Sequence, residues 1–360
     1  MKIAFIAYLH GFGGAQRQII NVANAMRRKG HRVVLISLSG NRDCYGVDPT
    51  VKKYYVRDCG VGLLKIINRY RGLKKLLRKN KPDVVVNFWF QSTYLTAFMK
   101  RKMRYKIVYS ERSDPNDKQY HGLLGVIRKL ILGKIDGFVF QTNAAKEFFN
   151  EDVQRRSVII PNAVSVHLQR RNNLKKEKKI VTVGRLHEQK NMPLLIRSFA
   201  EISGKFPEYR LHIYGDGELR VQLQNMVNEM GLKNKVCLCG ATEDVHDKIV
   251  DAEIFVLSSN YEGMPNALLE AMRLGLPCIS TDWKPGGIID IIKNGDDGIV
   301  VPCDNVKELS SAMARLINDK QLMKRLSRNA LNSSKRYDPE VIYSLWDVYL
   351  KNTKGGIKGE

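Results

Sequence analysis

Three clusters of residues in this chain of 360 have the types and spacing to act on a ligand that is both phosphorylated and rich in hydroxyls. The first runs Ser258-Ser259-Asn260-Tyr261-Glu262-Gly263-Met264-Pro265-Asn266-Ala267-Leu268-Leu269-Glu270. A strand is expected to end at Ser259. Pro265 is placed as a first-turn helix residue, and Gly275 then Pro277 end that helix. Glu262 thus lies in the loop above the strand, and Glu270 about one and a half turns into the helix. The open N–H groups of the helix start fall between the two carboxylates. Amides there attract a phosphate, while the carboxylates accept hydrogen bonds from sugar hydroxyls.

The second cluster is Gly184-Arg185-Leu186-His187-Glu188-Gln189-Lys190-Asn191, in a loop between a strand and a helix opened by Pro193. An arginine fork and a lysine point charge in one such loop suit a diphosphate. Gly215-Asp216-Gly217 is a further tight turn after the next strand. The third cluster is Gly11-Phe12-Gly13-Gly14, between the first strand and the first helix, where glycine lets backbone approach an anion at the helix start. Gln16 stands where a third glycine would complete GxGxxG, and no GxxxxGK[ST] loop occurs, so neither a dinucleotide fingerprint nor a P-loop is present. Tyr109-Ser110-Glu111-Arg112-Ser113-Asp114-Pro115 adds a carboxylate and a guanidinium at another strand tip, and His10 and His121 are weaker candidates.

The elements that must position these clusters alternate between short apolar runs and amphipathic stretches, the pattern of βαβ units and a parallel sheet. KIAFIAY (2–8), RVVLISL (32–38), DVVVNFW (83–89), KIVYS (106–110) and GFVFQ (137–141) read as strands, and Ala15 to Lys29 as a helix. A charged linker, HLQRRNNLKKEKK (167–179), precedes a second series: KIVTVG (179–184), RLHIYG (210–215), KVCLCG (235–240), EIFVLSS (253–259), LPCIS (276–280) and DGIVVP (297–302). Two helical stretches, roughly 305–335 and 338–350, close the chain. The expected fold is α/β: two Rossmann-like, doubly wound parallel-sheet domains facing a central cleft, with glycine-rich turns at the carboxyl ends of the strands. The first domain is expected over 1–165, with the 338–350 helix packing back on it, and the second over 166–336.

Composition narrows the partners. Lysine and arginine total 60 against 36 acids, a formal charge of +24. Residues 1–150 carry 29 bases and 9 acids (+20), against 31 and 27 (+4) for the remainder. So basic a half implies an anionic partner. Leu63, Ile66, Ile67, Tyr70, Leu73, Leu76 and Leu77 recur at helical spacing, interleaved with Lys65, Arg69, Arg71, Lys74, Lys75, Arg78 and Lys79, as a helix on an anionic leaflet would require. Lys100, Arg101, Lys102 and Arg104 enlarge that surface. No helix-turn-helix, RRM or zinc pattern accompanies the charge, which disfavours a nucleic-acid partner. The apolar stretch from Val84 to Met99 falls short of the ~20 residues of a spanning helix. The start, MKIAFIAYLHGFGG, lacks a signal-peptide cleavage pattern. The six cysteines form no CxxC pair or metal-ligand spacing. Cys237 and Cys239 alternate along a strand and are expected to be buried, and a reducing compartment is expected.

With these residues in view, EGMPNALLEAM and its Glu262-x7-Glu270 spacing resemble the retaining, nucleotide-sugar-dependent glycosyltransferases of the two-domain GT-B fold, the fourth family of the sequence classification. GRLHEQKN, YGDGELR, IIPNAV and GGIIDIIKNGDDGIVVP follow in matching order, and GGAQRQIINVANAM is similar to a segment of bacterial polysaccharide enzymes. The resemblance implies that Arg185 and Lys190 bind the donor diphosphate and stabilise the leaving group without a metal or other cofactor, beside Gly184 and Gly215. It implies that Glu270 accepts from the ribose hydroxyls. Glu262, with Gly263, Met264, Asn266 and Ala267, would hold the transferred sugar, and Gly13 and Gly14 would let the first half close on it. Many members carry a histidine near that sugar, where this chain has Glu111 and Arg112. The implied reaction moves a hexose or N-acetylhexosamine from a UDP-sugar to a glycan, polyprenyl-diphosphate-linked, at the cytoplasmic side of the inner membrane, for capsule, O-antigen or lipopolysaccharide. A GDP-mannose donor, an inactive sugar-nucleotide binder and a nucleic-acid-binding protein are the alternatives weighed.

Overall fold

The computed structural model describes residues 1–9, 13–39, 45–57, 59–116, 120, 122–164, 176–284 and 286–355. His10, Gly11, Phe12, Cys44, His121 and most of the 167–179 linker lie outside the described residues. The chain divides into two compact units, Met1–Ala163 with Pro339–Glu360, and Val164–Asp338.

In the first unit the strands are β1 (Lys2–Ala7), β2 (Arg32–Ser37), β3 (Lys52–Tyr55), β4 (Val84–Asn87), β5 (Lys106–Ser110), β6 (Gly137–Phe140) and β7 (Ser157–Ile159). The helices are α1 (Gly14–Arg28), α2 (Gly62–Asn80), α3 (Phe90–Met99), α4 (Leu123–Leu132), α5 (Asn143–Glu147) and α6 (Glu151–Arg155). All seven strands pair in parallel, in the order β3-β2-β1-β4-β5-β6-β7. Helices cover both faces, so the central strands are continuous apolar runs rather than alternating ones, and β1 is buried from Ile3 to Ala7. One face packs Ile19, Ile20 and Met26 of α1 on Phe5, Leu35 and Val86, and the other packs Leu73 and Leu77 of α2 on Ile6, Ile36 and Val85.

The second unit contains β8 (Glu177–Val183), β9 (Arg210–Tyr214), β10 (Val236–Gly240), β11 (Ala252–Leu257), β12 (Cys278–Thr281) and β13 (Ile299–Val301). Its helices are α7 (Met192–Ser203), α8 (Arg220–Glu229), α9 (Val245–Ile249), α10 (Asn266–Arg273), α11 (Val306–Asn318) and α12 (Lys320–Ser333). The six parallel strands run β10-β9-β8-β11-β12-β13. Each sheet therefore reverses its winding beside its own first strand, at β1/β4 and at β8/β11, which is where doubly wound sheets bind ligands.

After Asp338 the chain returns to the first unit as α13 (Pro339–Gly355). Ile342, Tyr343, Trp346 and Leu350 are buried in that unit's core, and the Trp346 ring stacks on Phe88 with centroids 5.9 Å apart. His31 meets Asp347 at 2.6 Å, and the Tyr349 hydroxyl donates to the carbonyls of Phe138 and Arg156 at 3.0 and 2.7 Å.

Several expectations need correction. β3 reads KKYY, two exposed lysines before two half-buried tyrosines, so it lacks the apolar run that marks the other strands, and it sits at the sheet edge. β7 is likewise a three-residue edge strand. β8 starts at Glu177, inside the stretch assigned to the linker. The helical stretch 305–335 is two helices, because Asp319 ends one and caps the next, accepting from the amides of Gln321 and Leu322 at 3.1 and 2.8 Å. Cys237 is exposed and Cys239 half-buried, since β10 is an edge strand. The five described cysteines are all free thiols.

Candidate functional site

The site is built on two loops that leave the carboxyl ends of β8 and β11, on either side of the winding reversal. The β8 loop is shaped by glycines. A Cβ on Gly184 would press the aliphatic stem of Lys190 at 3.3 Å, and one on Gly215, whose φ is +137°, would meet the Gly184 carbonyl oxygen at 1.9 Å. Gly215 is therefore required for the turns after β8 and β9 to approach. Asn191, at φ 44°, then caps α7 by accepting from the Leu194 amide at 3.3 Å, with Pro193 at the helix start.

The two loops are laced together. The Asn260 amide donates to the Gln189 carbonyl at 2.9 Å, Gln189 Nε2 to the Tyr261 carbonyl at 2.9 Å, and Ser258 Oγ to the Lys190 carbonyl at 2.8 Å. Asn191 Nδ2 donates to Asn260 Oδ1 at 2.8 Å. At the centre, Lys190 Nζ forms an ion pair with Glu262 Oε1, and the Ser259 hydroxyl donates to the same oxygen at 2.7 Å. The lysine side chain is 14% exposed and the glutamate 7%, so this is a largely desolvated pair. Arg185, in contrast, is exposed, and no hydrogen bond or ion pair to its guanidinium occurs among the described residues.

Beyond Glu262, the chain passes Gly263 and buried Met264 to Pro265, which stands one residue ahead of α10 rather than within it. Pro265 has no side-chain group able to cap α10, whose first N–H groups are those of Asn266 and Ala267. Glu270, the fifth residue of α10, is 7% exposed and meets His246 Nε2 of α9 at 3.0 Å. His246 has no signal in the sequence to single it out: it is an isolated histidine in a polar stretch, and only the packing of α9 brings it to Glu270. Among the described residues, no group of three His, Cys, Asp or Glu is placed to hold a metal ion.

In the first unit, Gly13 precedes α1 and its carbonyl accepts from the Arg17 amide at 3.0 Å, while Gly14 is the first helical residue. The Gln16 side chain folds back over this helix start, its Oε1 2.2 Å from where a Cβ on Gly13 would stand. At the end of β5, Glu111 and Arg112 part company. Glu111 is 2% exposed and saturated. Its Oε2 accepts from Tyr109 at 2.8 Å and Arg128 at 3.0 Å, and its Oε1 from the Arg112 and Ser113 amides at 3.1 and 3.3 Å and the Ser113 hydroxyl at 3.1 Å. The lone pairs of this carboxylate are thus engaged by the chain's own donors. Arg112 lies over the Phe88 ring at 4.0 Å and donates through Nη1 to Asn162 at 2.8 Å. Its Nε and Nη2 are buried without a hydrogen-bond partner among the described residues, and burial lowers its pKa to about 9 despite the nearby Glu111. Two of its donors are therefore unspent among the described residues.

Comparison with known proteins follows this geometry. The family model described as Glycosyl transferases group 1 matches residues 166–333, and that described as Glycosyltransferase Family 4 matches residues 12–168. Over 361 residues the chain is 26% identical to the GalNAc-alpha-(1->4)-GalNAc-alpha-(1->3)-diNAcBac-PP-undecaprenol alpha-1,4-N-acetyl-D-galactosaminyltransferase of Campylobacter jejuni, covering 98% of this chain and 99% of that one. It is 25% identical to the UDP-Gal:alpha-D-GlcNAc-diphosphoundecaprenol alpha-1,3-galactosyltransferase of Escherichia coli, covering 92% of each. A solved structure of Anabaena Alr3699/HepE in complex with UDP-glucose superposes with a TM-score of 0.79 at 17% identity, covering 98% of this chain and all of that one. That likeness assigns the two parallel-sheet units to the GT-B fold.

Proposed function

This chain belongs to the glycosyl transferases group 1 family, with a family 4 module ahead of it, and from that membership we propose that it transfers a hexose or N-acetylhexosamine from a UDP-sugar to a polyprenyl-diphosphate-linked glycan. The relatives that share nearly its full length and act on undecaprenol-diphosphate glycans support the acceptor, and surface polysaccharide synthesis is the setting we infer. The observation that carries the reading is the laced pair of loops after β8 and β11, with Lys190 on Glu262, the unpaired Arg185 in the same loop and the start of α10 beyond.

In this reading Arg185 and Lys190 hold the donor diphosphate and offset the negative charge that grows on it as the sugar departs, without a metal ion. One N–H of Lys190 is engaged by Glu262, and the remaining ammonium protons are directed to phosphate. Gly184 and Gly215 act through shape, by giving Lys190 and the β9 turn room to approach. Glu270 accepts from the ribose hydroxyls. Glu262 and the amides of Gly263, Met264, Asn266 and Ala267 hold the transferred sugar. In this reading the start of α1 at Gly13 and Gly14 and the guanidinium of Arg112 are further anion receptors on the first unit. The reaction proceeds with retention. The bond from C1 to the diphosphate oxygen breaks, the acceptor oxygen bonds C1 on the same face, and the acceptor proton passes to the departing phosphate.

The basic surface of the first unit is assigned to an anionic membrane face. Among the described residues no helix is long and apolar enough to cross a membrane. Leu73 and Leu77 of α2 are core residues, while Leu63 and Leu64 are 71% and 64% exposed, so only the first half of α2 turns its apolar side outward. The test is transfer itself: UDP-hexoses and UDP-N-acetylhexosamines are supplied with polyprenyl-diphosphate acceptors, with and without EDTA, and the new anomeric linkage is read by NMR. An α-linked product formed equally in EDTA is expected. An inverted linkage, or loss of transfer restored by magnesium, would refute the mechanism, and turnover of GDP-mannose alone would refute the donor.

A further inference from the structure

At the amino ends of β1, β2 and β3, the far end of these strands from Gly13, lies a cavity of about 540 Å³. Five cations from five elements line it: Lys2, Arg32 and Lys52 from the three strands, Arg27 from the last turn of α1 and Lys79 from the last turn of α2. Ile3, Val34 and Pro82 add apolar lining, and among the described residues no carboxylate lines it. The neighbouring acids are engaged elsewhere. Asp83 accepts from the Lys2 amide at 2.7 Å and pairs with Lys354 at 3.3 Å, and Asp48 accepts from Thr50 at 2.6 and 2.8 Å.

Two of the five cations have a reason in the fold. Arg27 and Lys79 stand at helix carboxyl ends, where positive charge is favoured, and Arg27 Nε also donates to Thr50 Oγ1 at 3.0 Å. The other three have none. The sheet register sets Lys2 directly opposite Arg32, and Lys52 opposite Val34, one step along the same face from Arg32. These side chains leave one face of adjacent strands whose backbones lie only ~4.8 Å apart, so several positive charges border one space. Lys2, Arg32, Lys52 and Lys79 make no ion pair among the described residues. A multivalent anion seated between the side chains would neutralise several of these charges at once.

We propose that the cavity is a binding site for an oligophosphate, a ligand with two or more contiguous phosphates. Five cations exceed what one phosphate neutralises, and the volume is that of a small-molecule site rather than of a nucleic-acid track. A soluble oligophosphate and the diphosphate headgroup of a lipid share this chemistry. The site is separate from the loops of β8 and β11, and its existence does not depend on the proposed donor.

The probe is sodium tripolyphosphate, titrated calorimetrically into the full chain. Arg32 and Lys52 are exposed, so Arg32→Gln/Lys52→Gln leaves the core intact, and Lys233→Gln/Lys307→Gln removes equal charge from exposed positions of the second unit. Saturable binding is expected in the unaltered protein, in Lys190→Ala and in the control pair, with at least a tenfold loss in Arg32→Gln/Lys52→Gln. No saturable binding, equal weakening in both double variants, or loss in Lys190→Ala would overturn the proposal, the last by placing the probe on the donor loops. Displacement by vesicles bearing a lipid diphosphate would identify a headgroup, and displacement by ATP alone a soluble oligophosphate. UDP binding, measured separately, bears only on the donor reading.

Discussion

At the residue scale the account turns on the contrast between Lys190–Glu262 and Glu111–Arg128. Both are buried ion pairs, yet the first joins the loops after β8 and β11, whereas the second is one of several bonds that saturate a carboxylate at the end of β5. Removing one member of a buried pair strands the other, at about 3 kcal/mol, whereas neutralising both costs less. Lys190→Met should therefore destabilise the protein to denaturant by about that amount, and Lys190→Met/Glu262→Gln should recover at least half, while both lose transfer by about 100-fold or more. Recovery of transfer in the double variant would contradict a role for Lys190 in leaving-group stabilisation. Glu111→Gln is expected to do the reverse: a comparable loss of stability, from stranding Arg128, with UDP affinity unchanged. A loss of UDP affinity without a loss of stability would restore Glu111 as a ligand-binding group. Sequence made Arg185, Lys190, Glu262 and Glu270 legible because each lies at a fixed offset from a glycine or proline that punctuates a strand–loop–helix unit. It could not separate Glu111 from Arg112, since the separation comes from Arg128, 17 residues away, folding back onto the carboxylate.

At the scale of the elements, the loops are held by backbone fit. Gly215 combines a left-handed φ of +137° with a carbonyl oxygen 1.9 Å from any added Cβ. Gly215→Ala should cost about 2–4 kcal/mol of unfolding free energy and reduce transfer with it. An unchanged melting temperature would show that the turns after β8 and β9 can separate at no cost. The cap between α11 and α12 is more ordinary, and Asp319→Ala should cost about 1 kcal/mol in the same measurement. The buried central strands were readable as apolar runs. The edge strands β3 and β7 were not, because an edge is half solvated and carries polar residues. The break at Asp319 was hidden for a similar reason: one residue both closes a helix and opens the next, so the apolar periodicity runs across it.

For the whole molecule, the distinctive feature is a first unit completed by the chain's last helix. The periodicity of 338–350 marked a helix. Its return to the first domain was also expected, while the contacts that dock it there, to His31 and Phe88, join residues more than 250 positions apart that no local pattern pairs. Burial pushes the Asp347 carboxyl up, but hydrogen bonds from Lys351 and His31 outweigh this and hold it below its ordinary value of 3.8. A depressed folded value means that its stabilisation is present above 3.8 and is lost as the pH falls through the lower folded value. Stability of the unaltered protein should thus fall more steeply on acidification below about pH 4 than that of Asp347→Asn. Parallel slopes would remove Asp347 from the docking of α13. The central claim, a nucleotide diphosphate held by the loops after β8 and β11, is tested most directly by calorimetric titration of UDP into the unaltered chain, Lys190→Ala and Glu270→Ala. One saturable site, weakened at least tenfold in each variant, is the predicted result. Absence of UDP binding, or equal affinity in all three proteins, would contradict it.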